Sequence, residues 1–383
     1  DEQNQTRFYA AFAVSIAATM GIAFAANLFT LFLFYELLTL ATYPLVTHAG
    51  TPEAKQGGRV YLGILLGTSI GLFLLGILVT WTLTGRVDFQ TGGILSGHID
   101  PAWAGLLYAL FLFGIGKAAV MPFHRWLPAA MVAPTPVSAL LHAVAVVKAG
   151  VFTLLKVTIY IFGGDFILSN DVTGGLIWVA AATILIASMV AMTKDNLKAR
   201  LAYSTVSQLS YIVLGAMLAS KAGLLGASMH IAMHAFAKIT LFFAAGAIFI
   251  ASHKKQVSEL NGLGRAMPVT FAAFFIGTLS IIGLPPLGGM WSKWYVGLGT
   301  VETAQLLLLA VLMISSLLNI MYLLPIPIRA FFSRPESGEH YTEIAEAPKP
   351  MLLAMVITSI ACVILFFYPD PFYRLAGLAA RGY

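Results

Sequence analysis

The strongest constraint on this chain is a series of long apolar segments, each close to the ~20 residues that an α-helix needs to cross a bilayer. Only 10% of the residues are charged and 59% are hydrophobic, whereas soluble domains carry about a quarter charged residues. The sequence therefore predicts an all-α, polytopic transmembrane helical bundle. We place about eleven spans, at 8–26, 28–48, 60–84, 103–121, 136–162, 173–193, 200–220, 224–252, 268–300, 303–330 and 351–369.

Helix-breaking residues interrupt two of these segments. Pro122 follows Met121 inside apolar sequence, and Pro285 and Pro286 lie in a Gly/Pro-rich run over 283–289. Proline lacks the amide N–H that helical hydrogen bonding requires, so we expect discontinuous helices at these prolines. Non-helical backbone at membrane depth must be buried in protein or line a cavity.

The two breaks share a short similarity. Segments 117–126 and 283–294 each combine a proline break with a lysine and a tryptophan. The two segments lie an odd number of predicted spans apart, so repeats that contain them would have opposite orientations in the membrane. Inverted repeats of this kind are typical of transport proteins. We predict a polar stub at 1–7, a first repeat at 8–162, a second inverted repeat at 173–330, a cytoplasmic loop at 331–350 and a C-terminal helix with its tail at 351–383.

Positive residues concentrate on one predicted face. Alternating loops put thirteen on one face, namely Arg7, Lys55, Arg59, Arg125, Lys194, Lys198, Arg200, Lys254, Lys255, Arg265, Arg329, Arg334 and Lys349. The other face has four, namely Arg86, Lys221, Arg374 and Arg381. The positive-inside rule then predicts a multi-pass protein of the cell (inner) membrane with a cytoplasmic Arg7 face. This topology explains the net charge of +6, so nothing indicates binding of nucleic acid.

Two further features concern the whole chain. Cys362 is the single cysteine and lies in an apolar run, so disulfides and cysteine metal sites are excluded. The chain opens on Asp1 without an initiator Met and enters a span almost at once. We expect it to be part of a longer protein.

Ionisable residues inside the spans are the main functional signal. They are one carboxylate, five lysines and three histidines, namely Glu36, Lys117, Lys148, Lys156, Lys238, Lys293, His142, His230 and His234. A charge near a helix centre costs roughly 2.5–3.5 kcal/mol on insertion scales. Such residues are rare in spans and mark ion pathways or proton relays.

Structural roles remain open for several of them. Glu36 could neutralise one lysine as a link between helices, and Lys117 could cap carbonyls freed by the proline break. The histidines could instead serve polar packing between helices, with water joining their side chains to a neighbouring helix. Lys156 lies far enough along its span to reach the membrane surface with its ammonium group, so we leave it out of the functional set.

One helix carries a polar stripe. His230, His234 and Lys238 have i, i+4, i+8 spacing, which places them on one helix face. Two histidines without a carboxylate or another ligand do not make a zinc site, so we predict no metal and no cofactor. Histidine changes charge near neutral pH and neighbouring positive charges repel, so a proton relay is favoured.

Several long motifs resemble one known family, the antiporter-like membrane subunits. They are the runs at 34–38, 117–128, 133–142, 147–150, 194–208, 230–238 and 283–293. This family comprises proton-pumping subunits of respiratory complex I, of membrane hydrogenases and of Mrp-type cation/proton antiporters. The resemblance covers roughly 8–331 and implies a fold with two inverted repeats, preceded by helices that this chain lacks.

The resemblance implies a role for each polar residue. Glu36 and Lys117 would form a charged pair, and Lys148 or His142 would bridge onward. A hydrated axis would continue through the stripe at 230–238, with Lys293 as the terminal proton-exchange residue.

The run at 288–295 looks most like the D-type member of the Mrp antiporter subunits. The expected function is thus a proton-translocating subunit of a multi-subunit Na⁺/H⁺ antiporter, whose partners are other membrane subunits, protons, Na⁺ and the lipid bilayer. The alternatives are a proton-pumping subunit of a complex I-like NADH-quinone oxidoreductase or membrane hydrogenase, and a structural assembly subunit. We do not favour an intramembrane hydrolase, because this sequence offers no candidate nucleophile for one.

Overall fold

The computed structural model describes residues 4–335 and 344–380, and these residues form an all-α bundle, as predicted. Residues 1–3 of the predicted stub, 336–343 of the predicted loop and 381–383 of the predicted tail lie outside the described residues. No strand occurs in the described ranges. The α-helices are α1 (Gln5–Phe24), α2 (Leu28–Val46), α3 (Pro52–Thr68), α4 (Leu74–Thr84), α5 (Pro101–Gly114), α6 (Trp126–Ala129), α7 (Thr135–Ala139), α8 (Val146–Lys156), α9 (Gly164–Asn170), α10 (Ile177–Thr193), α11 (Leu197–Met217), α12 (Lys221–Ser252), α13 (Pro268–Ile282), α14 (Gly289–Glu302), α15 (Leu306–Leu323), α16 (Pro325–Phe332), α17 (Lys349–Phe367) and α18 (Asp370–Ala380).

Short segments of other helix types connect some of these elements. Within the described ranges, π-helical segments interrupt two long helical runs, at Ser69–Phe73 and Leu140–Val144, and a third, Val157–Phe162, ends one. The 3₁₀ turns are Gly116–Ala118, Ala130–Val132, Ser258–Leu260 and Leu263–Arg265. π-helical insertions are frequent at functional sites, and the middle one contains His142.

Most predicted spans coincide with apolar helices. Among the described residues, 7 helical runs are long and apolar enough to cross a membrane, namely Gln5–Phe24, Leu28–Val46, Pro52–Thr84, Thr135–Phe162, Lys221–Ser252, Leu306–Phe332 and Lys349–Phe367. Shorter apolar helices lie at Pro101–Gly114, Ile177–Thr193 and Pro268–Ile282. The protein is therefore a multi-pass membrane protein, and the full count of about eleven spans stays a prediction.

The predicted span at 200–220 falls on α11, which differs from the apolar helices. Nearly all its residues are buried inside the protein, including Ser204, Ser207 and Gln208. A helix enclosed by other helices can carry polar groups, because protein rather than lipid surrounds it. The polar character of α11 thus follows from its central position, next to α10 and α12.

Loop contacts agree with the predicted alternation of faces. Isolated β-bridges join Asn27 to Asp88 and Asn196 to Gln256. The first pair connects two loops predicted on the face opposite Arg7, and the second connects two loops predicted on the Arg7 face. Which face is cytoplasmic stays a prediction, as does the division into two inverted repeats.

Both predicted breaks are present, and the first begins earlier than predicted. Helix α5 ends at Gly114, whereas the predicted span continued to residue 121. Backbone groups in this break are satisfied from elsewhere, because the Trp126 indole donates to the Gly116 carbonyl (2.9 Å) and the Lys117 amide donates to the Tyr35 hydroxyl (3.1 Å). Such pairing is what permits irregular backbone at membrane depth.

The second break separates α13 from α14. Helix α13 ends at Ile282, Gly283 adopts a left-handed conformation (φ 90°), and α14 begins at Gly289. Positive φ costs glycine little because it has no Cβ. The chain can therefore turn sharply between the two helices and place Lys293 on the first turns of α14.

The C-terminal end forms one further helix where the sequence indicated only a tail. Helix α18 follows α17 and lies against α12. Its Tyr373 ring lies 5.6 Å from the Tyr295 ring of α14. This helix escaped detection because it is too short to span a membrane.

A glycine allows α12 and α14 to approach closely. A Cβ at Gly226 would overlap the backbone of α14 at Val296 and Ser292. His230 lies one turn further along α12 and contacts Ser292 directly. Because Gly226 has no side chain, the backbones of α12 and α14 can lie close together. The same close approach allows the hydrogen bond between His230 and Ser292.

We expect Gly226→Val to destabilise the protein by about 1–3 kcal/mol, the usual cost of overpacking a filled interior. The matched control is Gly63→Val on α3, where an added Cβ meets nothing within 4 Å. Cys362, the only cysteine and fully buried, serves as the reporter, because a thiol-reactive dye labels it on heating only when the protein opens. Equal unfolding temperatures for the two variants would contradict the prediction.

Candidate functional site

The predicted charged residues divide into two groups, and the first group lies at the break after α5. Lys117 is fully buried in the 3₁₀ turn Gly116–Ala118. Its ammonium group donates to the Tyr35 carbonyl (2.8 Å) and to the Thr39 hydroxyl (2.5 Å), and it lies 3.2 Å from the centroid of the Tyr35 ring. Two neutral acceptors and a cation–π contact therefore hold this lysine against α2.

Glu36 follows Tyr35 on α2 but is not one of the groups that bind the Lys117 ammonium. Both carboxylate oxygens of Glu36 are buried and have no hydrogen-bond partner within the described residues. The implied Glu36–Lys117 pair is therefore not a direct hydrogen bond in this structure. A buried carboxylate without partners is costly, and the contacts of the described residues do not offset that cost for Glu36.

The second group lies around α12 and contains the closest contact between predicted residues. The Lys148 ammonium of α8 and the Nδ1 atom of His234 on α12 are 2.7 Å apart and hydrogen-bonded. A hydrogen bond between two nitrogens needs one donor and one acceptor, so the two groups cannot both be fully protonated. The hydrogen bond therefore joins two titratable groups across the interface between α8 and α12.

The predicted stripe on α12 is confirmed as one buried face. The rings of His230 and His234 are 5.7 Å apart between centroids. Further along the helix, the Lys238 ammonium donates to the Ser204 hydroxyl (2.7 Å) and to the Leu201 carbonyl (3.2 Å), both on α11. All three stripe residues are buried, so the stripe is a polar surface inside the protein.

His230 connects the stripe to the second break. Its Nδ1 atom is hydrogen-bonded to the Ser292 hydroxyl (2.8 Å). Its ring stacks on Tyr211 of α11, with 5.9 Å between centroids. The neighbour of Ser292 is Lys293, so the contact brings the stripe close to the predicted terminal lysine.

Lys293 is half-buried just after the second break. Its ammonium donates to the Ile282 carbonyl (3.2 Å), which α13 leaves without a helical partner, and to the Ser316 hydroxyl (3.4 Å). It also lies 4.7 Å from the centroid of the Tyr211 ring. Tyr211 therefore contacts both Lys293 and His230.

Two predicted residues stand apart from these contacts. His142 is fully buried in the π-helical segment Leu140–Val144, and neither of its ring nitrogens has a hydrogen-bond partner in the described part of the chain. Its ring instead lies 5.1 Å from Phe242. His142 therefore packs against α12 through Phe242, whereas Lys148 makes the hydrogen bond to the α12 stripe.

Lys156, which the sequence assigned a structural role, has a different environment from the other lysines. Its ammonium donates to the Ala25 carbonyl at the end of α1 (2.7 Å) and lies 4.0 Å from the Phe89 ring centroid. A cation near a helix C-terminus stabilises the carbonyls there. Lys156 thus links α1 to a loop, away from the α12 stripe.

Sequence reasoning missed the neutral side chains that hold the charged ones. These are Tyr35, Thr39, Ser204, Tyr211, Ser292 and Ser316. The available signal was the spacing of polar residues along α11, since Ser204, Gln208 and Tyr211 recur at helical intervals. This spacing shows that the residues share a helix face, but it does not show that the face lies against α12.

Comparisons with known proteins place this architecture among membrane subunits of respiratory and antiporter complexes. Residues 25–319 match the family model described as NADH:quinone oxidoreductase/Mrp antiporter, transmembrane. The chain is 32% identical to NADH-quinone oxidoreductase subunit N of Desulforudis audaxviator, over 96% of this chain and 75% of that protein. It is 30% identical to the chloroplastic NAD(P)H-quinone oxidoreductase subunit 5 of Chlorokybus atmophyticus, over 98% of this chain and 60% of that protein.

Solved structures show the same architecture in two different kinds of complex. A chain of the Mrp complex from a Dietzia species matches with a TM-score of 0.85 and 25% identity, over 97% of this chain and 76% of that chain. A chain of the archaeal membrane-bound sulfane sulfur reductase also has a TM-score of 0.85 and 25% identity, over 97% of this chain and 75% of that chain. Both are multi-subunit membrane assemblies.

Proposed function

The chain belongs to the NADH:quinone oxidoreductase/Mrp antiporter transmembrane family, and we propose that it translocates protons in a multi-subunit Na⁺/H⁺ antiporter of the cell (inner) membrane. The observation that carries this proposal is the hydrogen bond between Lys148 and His234. It joins two titratable groups on different helices inside a membrane protein. Only a proton can pass directly between two such nitrogens.

The neighbouring contacts support a path across several helices. From His234 the stripe on α12 leads to His230 in one direction and to Lys238 in the other. His230 reaches the second break through Ser292, and Lys293 lies beside it. Buried ionisable groups connected in this way are the usual components of proton relays in membranes.

The charge arrangement supplies a coupling mechanism. Lys148, Lys238 and Lys293 are all ionisable amines near the α12 histidines, and a proton added to one disfavours a proton on its neighbour. Movement of a positive charge at one end of the axis therefore displaces a proton at the other. In the proposed antiporter this displacement is linked to Na⁺ movement in the opposite direction.

The remaining residues complete the proposed pathway. Glu36 and Lys117 lie at the other break and would act as the second charged element, linked through Tyr35. His142, between the two groups in sequence, would act only through water, since neither ring nitrogen has a hydrogen-bond partner in the described residues. We propose other membrane subunits as partners, because the matching solved chains come from multi-subunit complexes.

One observation favours a second candidate, a redox-driven proton pump. The curated relatives named above are quinone oxidoreductase subunits. The chain spans 60% of the Chlorokybus protein and 46% of NAD(P)H-quinone oxidoreductase chain 5 of Synechocystis. A complex I-like assembly would use the same buried axis but drive it by electron transfer.

The decisive experiment compares two driving forces in everted vesicles that contain the assembled complex. With a proton gradient imposed, addition of Na⁺ is expected to release protons from the vesicles, whereas choline is not. Proton uptake driven only by an electron donor and a quinone, without any response to Na⁺, would overturn the antiporter and support the redox pump. Absence of both responses would contradict proton translocation itself.

A further inference from the structure

Gln208 on α11 is a buried amide that the pathway described above does not use. The residue is fully buried, and neither its Oε1 nor its Nε2 atom has a hydrogen-bond partner in the described residues. Buried polar side chains nearly always pair with protein or with water. A buried amide that pairs with no protein group in the described residues has the unused donors and acceptor that a buried water molecule needs.

The register of two helices shows what Gln208 faces. Ser204 on α11 contacts Lys238 on α12, and Tyr211 on α11 contacts His230 on α12. The order reverses, so the two helices run antiparallel. Gln208 lies four residues after Ser204 and three before Tyr211, on the same helix face. On α12, the residue midway between Lys238 and His230 is His234, so His234 lies opposite Gln208.

The histidines opposite Gln208 also have unused polar atoms. Their Nδ1 atoms bind Lys148 and Ser292, whereas the Nε2 atoms of His234 and His230 are buried without a partner in the described ranges. An amide offers donors and an acceptor, and a neutral imidazole Nε2 offers one or the other. A water molecule in such a site finds the two to four polar partners that buried water requires.

We propose that Gln208 is a positioning residue whose amide holds water between the Nε2 atoms of His234 and His230. This inference rests on the proposed proton pathway and supplies its missing connection, since the two rings have no direct hydrogen bond to each other. The water accepts a proton from His234 Nε2 and donates one of its own to His230 Nε2. One N–H bond breaks, one forms, and the water is restored.

The connection would join the two halves of the α12 site. On one side lies the Lys148–His234 hydrogen bond, and on the other lie His230, Ser292 and Lys293. Tyr211 covers His230 on the α11 side, one turn from Gln208. Without the amide, a water between the rings would lose a partner and its orientation.

The test measures proton flux in vesicles that contain the assembled complex with Gln208→Leu. We expect flux to fall about tenfold, the effect of losing a hydrogen bond or two, with the amount of assembled complex unchanged. Thr205→Val is the matched control, because Thr205 is buried on the same helix but its hydroxyl is bound to the Leu201 carbonyl (2.9 Å). Flux in this control should equal that of the unmodified protein.

Conservative replacement separates positioning from packing. Gln208→His restores one donor and one acceptor and is expected to recover most of the flux, whereas Gln208→Met, which fills similar volume, is not. Normal flux in Gln208→Leu, or equal loss in Gln208→His and Gln208→Met, would overturn the inference. Gln208→Met also replaces Gln208→Leu if the branched side chain prevents assembly.

Lys293→Ala in the same vesicles separates this inference from the function on which it rests. If Lys293→Ala abolishes flux and Gln208→Leu does not change it, only the role of Gln208 fails. If neither variant changes flux, the proton pathway itself fails. A solved structure of the complex that shows ordered water should place one within hydrogen-bond distance of both Gln208 and His234, and an apolar contact there would overturn the inference.

Discussion

Lys293→Ala is expected to reduce Na⁺-dependent proton flux by about 100-fold or more, since a positioned proton-transfer group contributes about 10²–10⁴-fold to a rate. The Lys293 ammonium binds the Ile282 carbonyl at the second break and lies over the Tyr211 ring. Alanine leaves no titratable group at this end of the axis. The measurement is proton release from everted vesicles after addition of Na⁺.

The control for this prediction is Lys156→Ala. Lys156 is also a lysine within a helix and binds a backbone carbonyl, but it lies away from the α12 stripe. Its replacement should leave flux within about twofold while the complex assembles normally. If both variants lose flux equally, or if Lys293→Ala only prevents assembly, the lysine at the second break has a structural role.

Lys148→Met is expected to have the second largest effect, again about 100-fold on proton flux. Methionine matches the length of the lysine stem but cannot form the 2.7 Å hydrogen bond to His234. Both ring nitrogens of His234 would then lack a protein partner in the described residues, since its Nε2 atom already has none. Flux in everted vesicles and the amount of assembled complex are the measurements.

A matched control lies on the same helix. Thr153→Val on α8 removes a buried hydroxyl that is bound within its own helix, to the Ala149 carbonyl (2.7 Å). Flux in Thr153→Val should be unchanged. Retained flux in Lys148→Met would show that the hydrogen bond between α8 and α12 is not on the transport path, even if Lys293 is.

The all-α membrane bundle could be predicted from the sequence because the bilayer makes spans visible as apolar runs. The sequence also predicted the stripe on α12, because helical spacing alone decides that His230, His234 and Lys238 share a face. The start of the first break was wrong, since the sequence around residues 103–121 is apolar and apolar sequence does not show where α5 ends. Gly114 and Gly116 were the local signals.

The partners of the charged groups could not be predicted in the same way. Lys148 and His234 are 86 residues apart, and Lys117 and Tyr35 are 82 apart. Such contacts depend on how helices are arranged, which spacing along one helix does not report. The resemblance implied a Glu36–Lys117 pair, but it could not show that the neighbouring Tyr35 and Thr39 bind the lysine.

The unbroken course of α12 has a consequence for how such chains diverge. Helix α12 continues without interruption from Lys221 to Ser252. Inserting one residue between His234 and Lys238 would turn everything beyond it by about 100° around the helix axis and remove Lys238 from Ser204. We therefore expect related chains to differ in the lengths of their loops. Between His234 and Lys238 we expect them to differ in side chains but not in the number of residues.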